Sequence, residues 1–369
     1  ADVLAIDDAP GADDLLGRID AWRAGGNVQG IYWLPALDIE TPIAEMDAAA
    51  WREALRLRVK LLFRTLRHLY ETVGEPGTFL VSATRLGGRH GYDDNGATAP
   101  MGGGVVGLTK TFKRERPDAL VKAVDFPPSR KTAALADVLI AETERDPGVV
   151  EVGHLDEQRY TVTLSERPMP ETPSGIELAD DSVAVVTGAA GSIVSAIVGD
   201  LARASRGVFH LLDLAPEPDR DDPDLVAFGA DRDALKRTVF ERLQTAGERA
   251  TPAMVEKELA GIERRHAALA AIQAVEAAGG TAHYHSVDLT DGDAMAAVTG
   301  DICEISGKVD LLVHAGGLEI SRLMPDKEPA EFDLVFDVKS DGWYHLLAGL
   351  ADVPIASTVV FSSIAGRFG

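Results

Sequence analysis

Several short stretches of this 369-residue chain combine residue types that can hold phosphate and handle a carbonyl group. Thr187–Ile193 reads TGAAGSI, after the apolar run Ser182–Val186 and before a helical pattern. Gly188 permits a tight turn, while backbone N–H groups at Gly191, Ser192 and Ile193 suit a pyrophosphate at a helix N-terminus. A plain strand-to-helix turn is the alternative, and Val194 stands where a third small residue is expected. The run GVFHLLDLAPEP ends its apolar part at Asp213, placed to accept from a ribose 2′-hydroxyl and to repel a 2′-phosphate. A helix cap or a solvent-facing carboxylate would also explain Asp213, and Arg203 and Arg206 keep a phosphorylated ribose open. Asp288 and Leu289 end a third strand, where an adenine could be bracketed. Ala315, Gly316 and Gly317 end a fourth, where the backbone can approach a nicotinamide ribose. Lys339 on a helix and Ser362–Ser363 after a β-branched run add an ammonium and two hydroxyls. No residue set is singled out as a metal site.

Apolar strands alternate with helical patterns throughout, which predicts βαβ units and parallel, doubly wound sheets. The linker 166–181 is rich in proline and acids and separates residues 1–165 from 182–369. Within the second region, 215–267 reads as an inserted helical segment, with Thr251 an N-cap, Pro252 at the first helical position and Gly279–Gly280 a stop. In the first region, Trp51–Tyr70 reads as one helix with Leu55, Val59, Leu62, Leu66 and Leu69 on its apolar face. Its other face carries Arg52, Arg56, Arg58, Lys60, Arg64 and Arg67, either a solvated face or a dock for an acidic carrier.

The two regions repeat one another. An offset of 281 lays Leu4–Asp8 on His285–Leu289, Val28–Ala36 on Val309–Gly317, and Trp51–Leu66 on Phe332–Leu347. An offset of 280 then lays Thr78–Ala83 on Thr358–Ser363. Arg58 falls on Lys339 and Ala83 on Ser363, so the first region keeps the apolar frame and loses the polar chemistry.

A net charge of −23 argues against nucleic acid or anionic membrane as a main partner. No apolar run is long enough to span a bilayer, and the first residues do not form a signal peptide. The single cysteine, Cys303, excludes an internal disulfide framework and fits the cytoplasm.

The order TGAAGSI, VDLTD, HAGG, VK, FSS resembles the short-chain dehydrogenase/reductase superfamily. More narrowly, it is similar to the ketoreductase domains of polyketide and polyunsaturated fatty acid synthases. Those pair a catalytic half with a degenerate, cofactor-free structural half, so the fold implied is α/β with two Rossmann-like halves. The resemblance implies NAD(P)H as cofactor: NADPH by family, with Asp213 leaning toward NADH. It also implies a β-ketoacyl substrate on an acyl carrier protein, within a larger synthase. Ser363 would hydrogen-bond the substrate oxygen, and Lys339 would lower the pKa of a proton-donating tyrosine. That tyrosine is expected about thirteen residues beyond the serine, outside 1–369, so these residues are read as truncated and inactive alone. A non-catalytic scaffold, half of a split enzyme, and a free-standing reductase or epimerase are the alternatives. Product stereochemistry stays open, because Glu319-Ile320-Ser321 and Phe368 replace both family markers.

Overall fold

The computed structural model describes residues 2–129, 133–166, 168, 175–246 and 250–368. Most of the proline-rich part of the predicted linker, 167 and 169–174, lies outside them, as do 247–249 of the predicted insertion. The chain forms two compact units: Ala1–Pro170 with Ile320–Leu334 and Ser362–Gly369, and Glu171–Glu319 with Val335–Phe361.

The sheet of the second unit contains β6 (Val183–Thr187), β7 (Val208–Asp213), β8 (Thr281–Ser286), β9 (Val309–His314) and β10 (Ile355–Val360). All are parallel, in the order β10-β9-β6-β7-β8, so the winding reverses beside β6. Chains that reverse there leave a crevice at the strands' carboxyl ends. On one face, helices Ser192–Ser205 and Pro252–Ala277 bury Val194, Val198, Ala202, Ala271 and Val275 against Val186 and Leu211. On the other, helices Gly292–Ser306 and Pro329–Gly349 bury Met295, Ile302 and Leu346 against Val185 and Leu312.

The inserted segment has a core of its own, with Leu225, Leu235, Val239, Val255, Leu259 and Ile262 clustered between three helices. Asp222, Asp231 and Thr251 cap them, Thr251 accepting from the Met254 N–H.

In the first unit, β1 (Gly30–Trp33), β2 (Phe79–Thr84), β3 (Leu120–Asp125), β4 (Glu151–Leu155) and β5 (Gln158–Thr161) lie in chain order. The first four are parallel, and β5 returns antiparallel through Asp156 and Glu157, both at positive φ as a two-residue hairpin demands. Among the described residues, these strands follow chain order with no reversal. The repeat extends to the helices and turns around them. Helices Ala12–Arg23 and Gly292–Ser306 correspond at the offset of 281, and so do the short turns Ile43–Glu45 and Met324–Asp326. The helical stretches 48–68 and 329–349 agree end to end. Leu4–Asp8, which the same offset lays on His285–Leu289, forms no strand.

Strand register also corrects the repeat at its end. Gly30 pairs with Phe79, while its counterpart Leu311 pairs with Ser357, an offset of 278 for the last strand. The position equivalent to Ser363 is therefore Arg85, not Ala83. Arg85 is buried, donating from Nε to the Leu37 carbonyl (2.7 Å) and from Nη1 to that of Pro127 (2.9 Å).

The predicted helix Trp51–Tyr70 is interrupted: Arg56–Lys60 forms a π-turn and Leu69 breaks the run. Most of its basic face is engaged in ion pairs and hydrogen bonds within this unit, while Arg52 is exposed. Arg58 is buried near Glu40, Arg56 binds Glu53 and the Pro10 carbonyl, and Lys60 and Arg64 both reach Asp333. Arg67 pairs with Glu328, and Phe63 stacks on Phe332 with ring centroids 4.0 Å apart. These partners come from 320–334, a segment that groups with this unit.

Two buried polar clusters make stability claims. Glu142 and Lys122 are fully buried 2.9 Å apart, and Arg145, His154 and Arg159 close around the same carboxylate. Burial alone would raise the Glu142 pKa, but Arg159, Lys122 and Arg145 outweigh it and hold the group well below the usual carboxylate range. Glu142→Gln leaves buried cations uncompensated and should cost about 3–5 kcal/mol in denaturant unfolding. A loss under about 1 kcal/mol would show that the cluster is dispensable. In the second unit, His210 is fully buried between His285, whose Nε2 lies 3.2 Å from its Nδ1, and the Ser306 hydroxyl at 2.8 Å. Burial, with His283 and His285 alongside, pushes its pKa down to about 4. Because the unfolded ring titrates near 6.5, protonation favours unfolding, so its contribution is complete above that pH and drains away toward pH 4. Lowering the pH from 7 to 5 should cost on the order of 2 kcal/mol through this residue. His210→Leu should flatten the unfolding–pH curve between those values, and an unchanged slope would refute the assignment.

Candidate active site

The glycine turn is built by strand β6 running directly into helix Ser192–Ser205. Gly188 sits at φ +70°, and a Cβ there would lie 2.9 Å from the backbone of Ala315 and Gly316. Only glycine satisfies both demands. Gly191 is the N-cap and no side chain caps this helix, so its first amides are left for an outside acceptor; Ser192 and Ile193 are exposed there. Val194, in place of a third glycine, is buried in the same cluster as Val186 and Ala189 and fills the helix–strand contact.

Asp213 ends β7 and is buried, accepting from the Ala190 N–H and the Ala215 N–H, both at 2.9 Å. Its carboxylate thus clamps the glycine turn at the end of β7. Tyr284 on β8 closes this corner, donating to the Ala215 carbonyl at 2.8 Å. Arg203 and Arg206 stand at the C-terminal end of helix Ser192–Ser205, which in a βαβ unit is the sheet edge opposite the crevice. They are not placed to meet a ribose phosphate at Asp213.

Asp288 is exposed just beyond β8 and accepts from the N–H and hydroxyl of Thr290. Leu289 is buried, its Cδ1 so close to Gly316 that a Cβ there would lie 2.4 Å away. Thr187 Oγ1 accepts from the N–H groups of Ala315 (3.1 Å) and Gly316 (3.0 Å), locking the ends of β6 and β9 together. Lys339 is half-buried and donates from Nζ to the Phe361 carbonyl at 3.1 Å, at the end of β10. Burial lowers its pKa. A side chain on Gly317 would occupy the lysine's place, since its Cβ would lie 3.0 Å from Cε. The second unit therefore gathers Thr187, Gly188, Gly191, Ser192, Ile193, Asp213, Asp288, Leu289, Ala315, Gly316 and Lys339 at the carboxyl edge of one sheet. Ser363 follows β10 and groups with the first unit. It is exposed, and its Oγ accepts from the Ala365 N–H at 3.1 Å, which leaves its own hydrogen free to be donated.

Sequence reasoning passed over His314. It is fully buried on β9, with Nδ1 3.0 Å from Thr187 Oγ1 and Nε2 3.0 Å from the Lys339 carbonyl. The signal for it was a ring with two polar nitrogens closing an otherwise apolar strand. The donor set fits a dinucleotide: an uncapped helix start, a glycine bend against the neighbouring strand, and a carboxylate at the second strand's end.

Residues 182–369, just over half the chain, match the KR-domain family model. The chain belongs to the KR-domain family. It is a ketoreductase domain of the polyketide and fatty acid synthase type, a family of oxidoreductases. Over 302 residues, 78% of its length, it is 29% identical to a polyunsaturated fatty acid synthase polypeptide of Thraustochytrium sp., spanning 11% of that relative. A ketoreductase domain from the bacillaene assembly line shares its fold at a TM-score of 0.61 and 17% identity, covering 93% of this chain and 71% of that one. A-type ketoreductases from a modular polyketide synthase do so at 0.66 and 17%, covering 97% and 64%. Among the described residues, no helix is long and apolar enough to cross a membrane.

Gly188→Ala should therefore lower stability by about 1–3 kcal/mol, through strain at positive φ and a clash with backbone that cannot yield. Its affinity for a nicotinamide dinucleotide should drop at least tenfold in a fluorescence titration. Wild-type affinity in this variant would remove the turn from the site.

Proposed function

We propose that this chain supplies the cofactor crevice and two catalytic side chains of a ketoreductase. The reaction is reduction of a β-ketoacyl thioester to the β-hydroxyacyl form, with the acyl chain carried on an acyl carrier protein within a larger cytoplasmic synthase. Residues 182–369 form the catalytic half, 1–165 the structural half, and 166–181 the linker. The observation that carries this reading is the Lys339 ammonium, held to the end of β10 on the sheet edge that bears the glycine turn.

A bound nicotinamide would supply the hydride. Thr187, Ala315 and Gly316 shape the floor beneath it, and Gly188, Gly191, Ser192 and Ile193 take the pyrophosphate. Asp288 and Leu289 flank the adenine end. The Ser363 hydroxyl donates to the carbonyl oxygen as negative charge develops there. Lys339 adds a fixed positive charge that stabilises the same change and eases proton delivery. No tyrosine among residues 1–369 is assigned as proton donor; Tyr344 is buried on the Lys339 helix. These residues alone should bind cofactor without turnover.

Asp213 favours the unphosphorylated ribose. Since its oxygens also hold the turn, the preference is best read from the ligands rather than by mutating it. NADH should bind at least tenfold more tightly than NADPH in calorimetry. Equal or tighter NADPH binding would overturn the role of Asp213, and binding of neither would overturn the reductase reading. In the parent synthase polypeptide, Lys339→Met and Ser363→Ala should each cut kcat for a β-ketoacyl thioester at least a hundredfold. Activity unchanged by both would leave only a structural domain.

A further inference from the structure

We propose that His314 is a positioning residue, which as the neutral Nε2–H tautomer holds the Lys339 carbonyl and the Thr187 hydroxyl at once. The proposal rests on the reductase reading only for what Lys339 and Thr187 do, not for the hydrogen bonds themselves.

The tautomer follows from the partners. A carbonyl only accepts, so the nitrogen 3.0 Å from the Lys339 oxygen, Nε2, carries the hydrogen. In a neutral ring Nδ1 is then bare, and it accepts the hydrogen of Thr187 Oγ1 at 3.0 Å. Thr187, fully buried, spends its lone pairs on the N–H groups of Ala315 and Gly316. Every polar atom in the chain of contacts is satisfied in this arrangement and in no other. Burial, reinforced by the nearby Lys339 charge, pushes the His314 pKa down to about 4, which keeps the ring neutral.

The first half supplies independent support. At the offset of 281, Trp33 corresponds to His314 and Arg58 to Lys339. Trp33 Nε1 donates to the Arg58 carbonyl at 2.8 Å. An indole nitrogen is a donor only, so the bond direction is fixed there, and it matches the one deduced for His314. The groups that face His314 are those of β6, β9 and the Lys339 helix: Thr187, Ala315, Gly316, Lys339, Gly342 and Trp343. None of these carries an acid that could favour protonation of the ring.

Two substitutions separate the two bonds. Gln places an amide N–H where Nε2 was and keeps the bond to Lys339. Asn places an oxygen where Nδ1 was and keeps the bond to Thr187. Long-range 15N NMR of the histidine-labelled 369-residue chain, with the His314 signals assigned from their loss in H314Q, should show the Nε2–H tautomer from pH 7 down to pH 5. The Nδ1–H tautomer, or a protonated ring at pH 6, would overturn the proposal. The Lys339 amine is then titrated by 13C-methyl NMR after reductive methylation, in wild type, H314Q and H314N. Its lowered midpoint should persist in H314Q and rise by at least half a pH unit in H314N. Equal shifts in both variants, or none in either, would refute positioning through Nε2. Failure of the reductase reading would appear separately, as no nicotinamide binding by wild type while the histidine and lysine signals behave as stated.

Discussion

One hydrogen bond recurs in both halves of this chain: a ring N–H at the end of a strand donates to a backbone carbonyl of the helix beside it. It joins Trp33 to Arg58 in the first half and His314 to Lys339 in the second. Both ring residues are buried. Fixing a long helix against a parallel sheet at one carbonyl sets its rotation, and therefore which side chain points to the crevice. In the first half the donor is an indole, which has nothing further to offer. In the second it is an imidazole, whose other nitrogen reaches Thr187 and through it the backbone of Ala315 and Gly316. Where the first half has Trp33 the second has His314, whose additional acceptor links Thr187, at the start of the glycine turn, to the lysine helix.

In the first half, Arg85 stands at the position of Ser363 and spans the Leu37 and Pro127 carbonyls. Asp125, at the end of β3, collects the Thr84 hydroxyl and the N–H groups of Leu86, Gly88 and His90. That carboxylate holds the following loop to the sheet, as Asp213 holds the glycine turn. Both buried charges are met by several hydrogen-bond partners, which is the condition under which buried charge is tolerated.

Much of this was legible in the sequence, and the failures have physical causes. The glycine turn, the strand ends and Lys339 were readable because each depends on residues a few positions apart. The 281 offset was readable because helical stretches 48–68 and 329–349 have the same length and recur in the same order among the strands. The offset slipped by two residues at the last strand, since apolar strands of period two match themselves at every even shift. The ion pairs of Lys60, Arg64 and Arg67 were not legible because Glu328 and Asp333 lie far along the chain, and no local pattern announces them. His314 was missed for the same reason: its partners, Thr187 and Lys339, come from different elements.

The basic face and the lysine share one helix but are tied down separately. Where helix Pro329–Gly349 begins, Phe332 stacks on Phe63 and Asp333 takes both Lys60 and Arg64, all within the first unit. Farther along, the His314 bond to the Lys339 carbonyl is made within the second unit. Each tie joins residues far apart in the chain, so neither could be read from the helix's own periodicity.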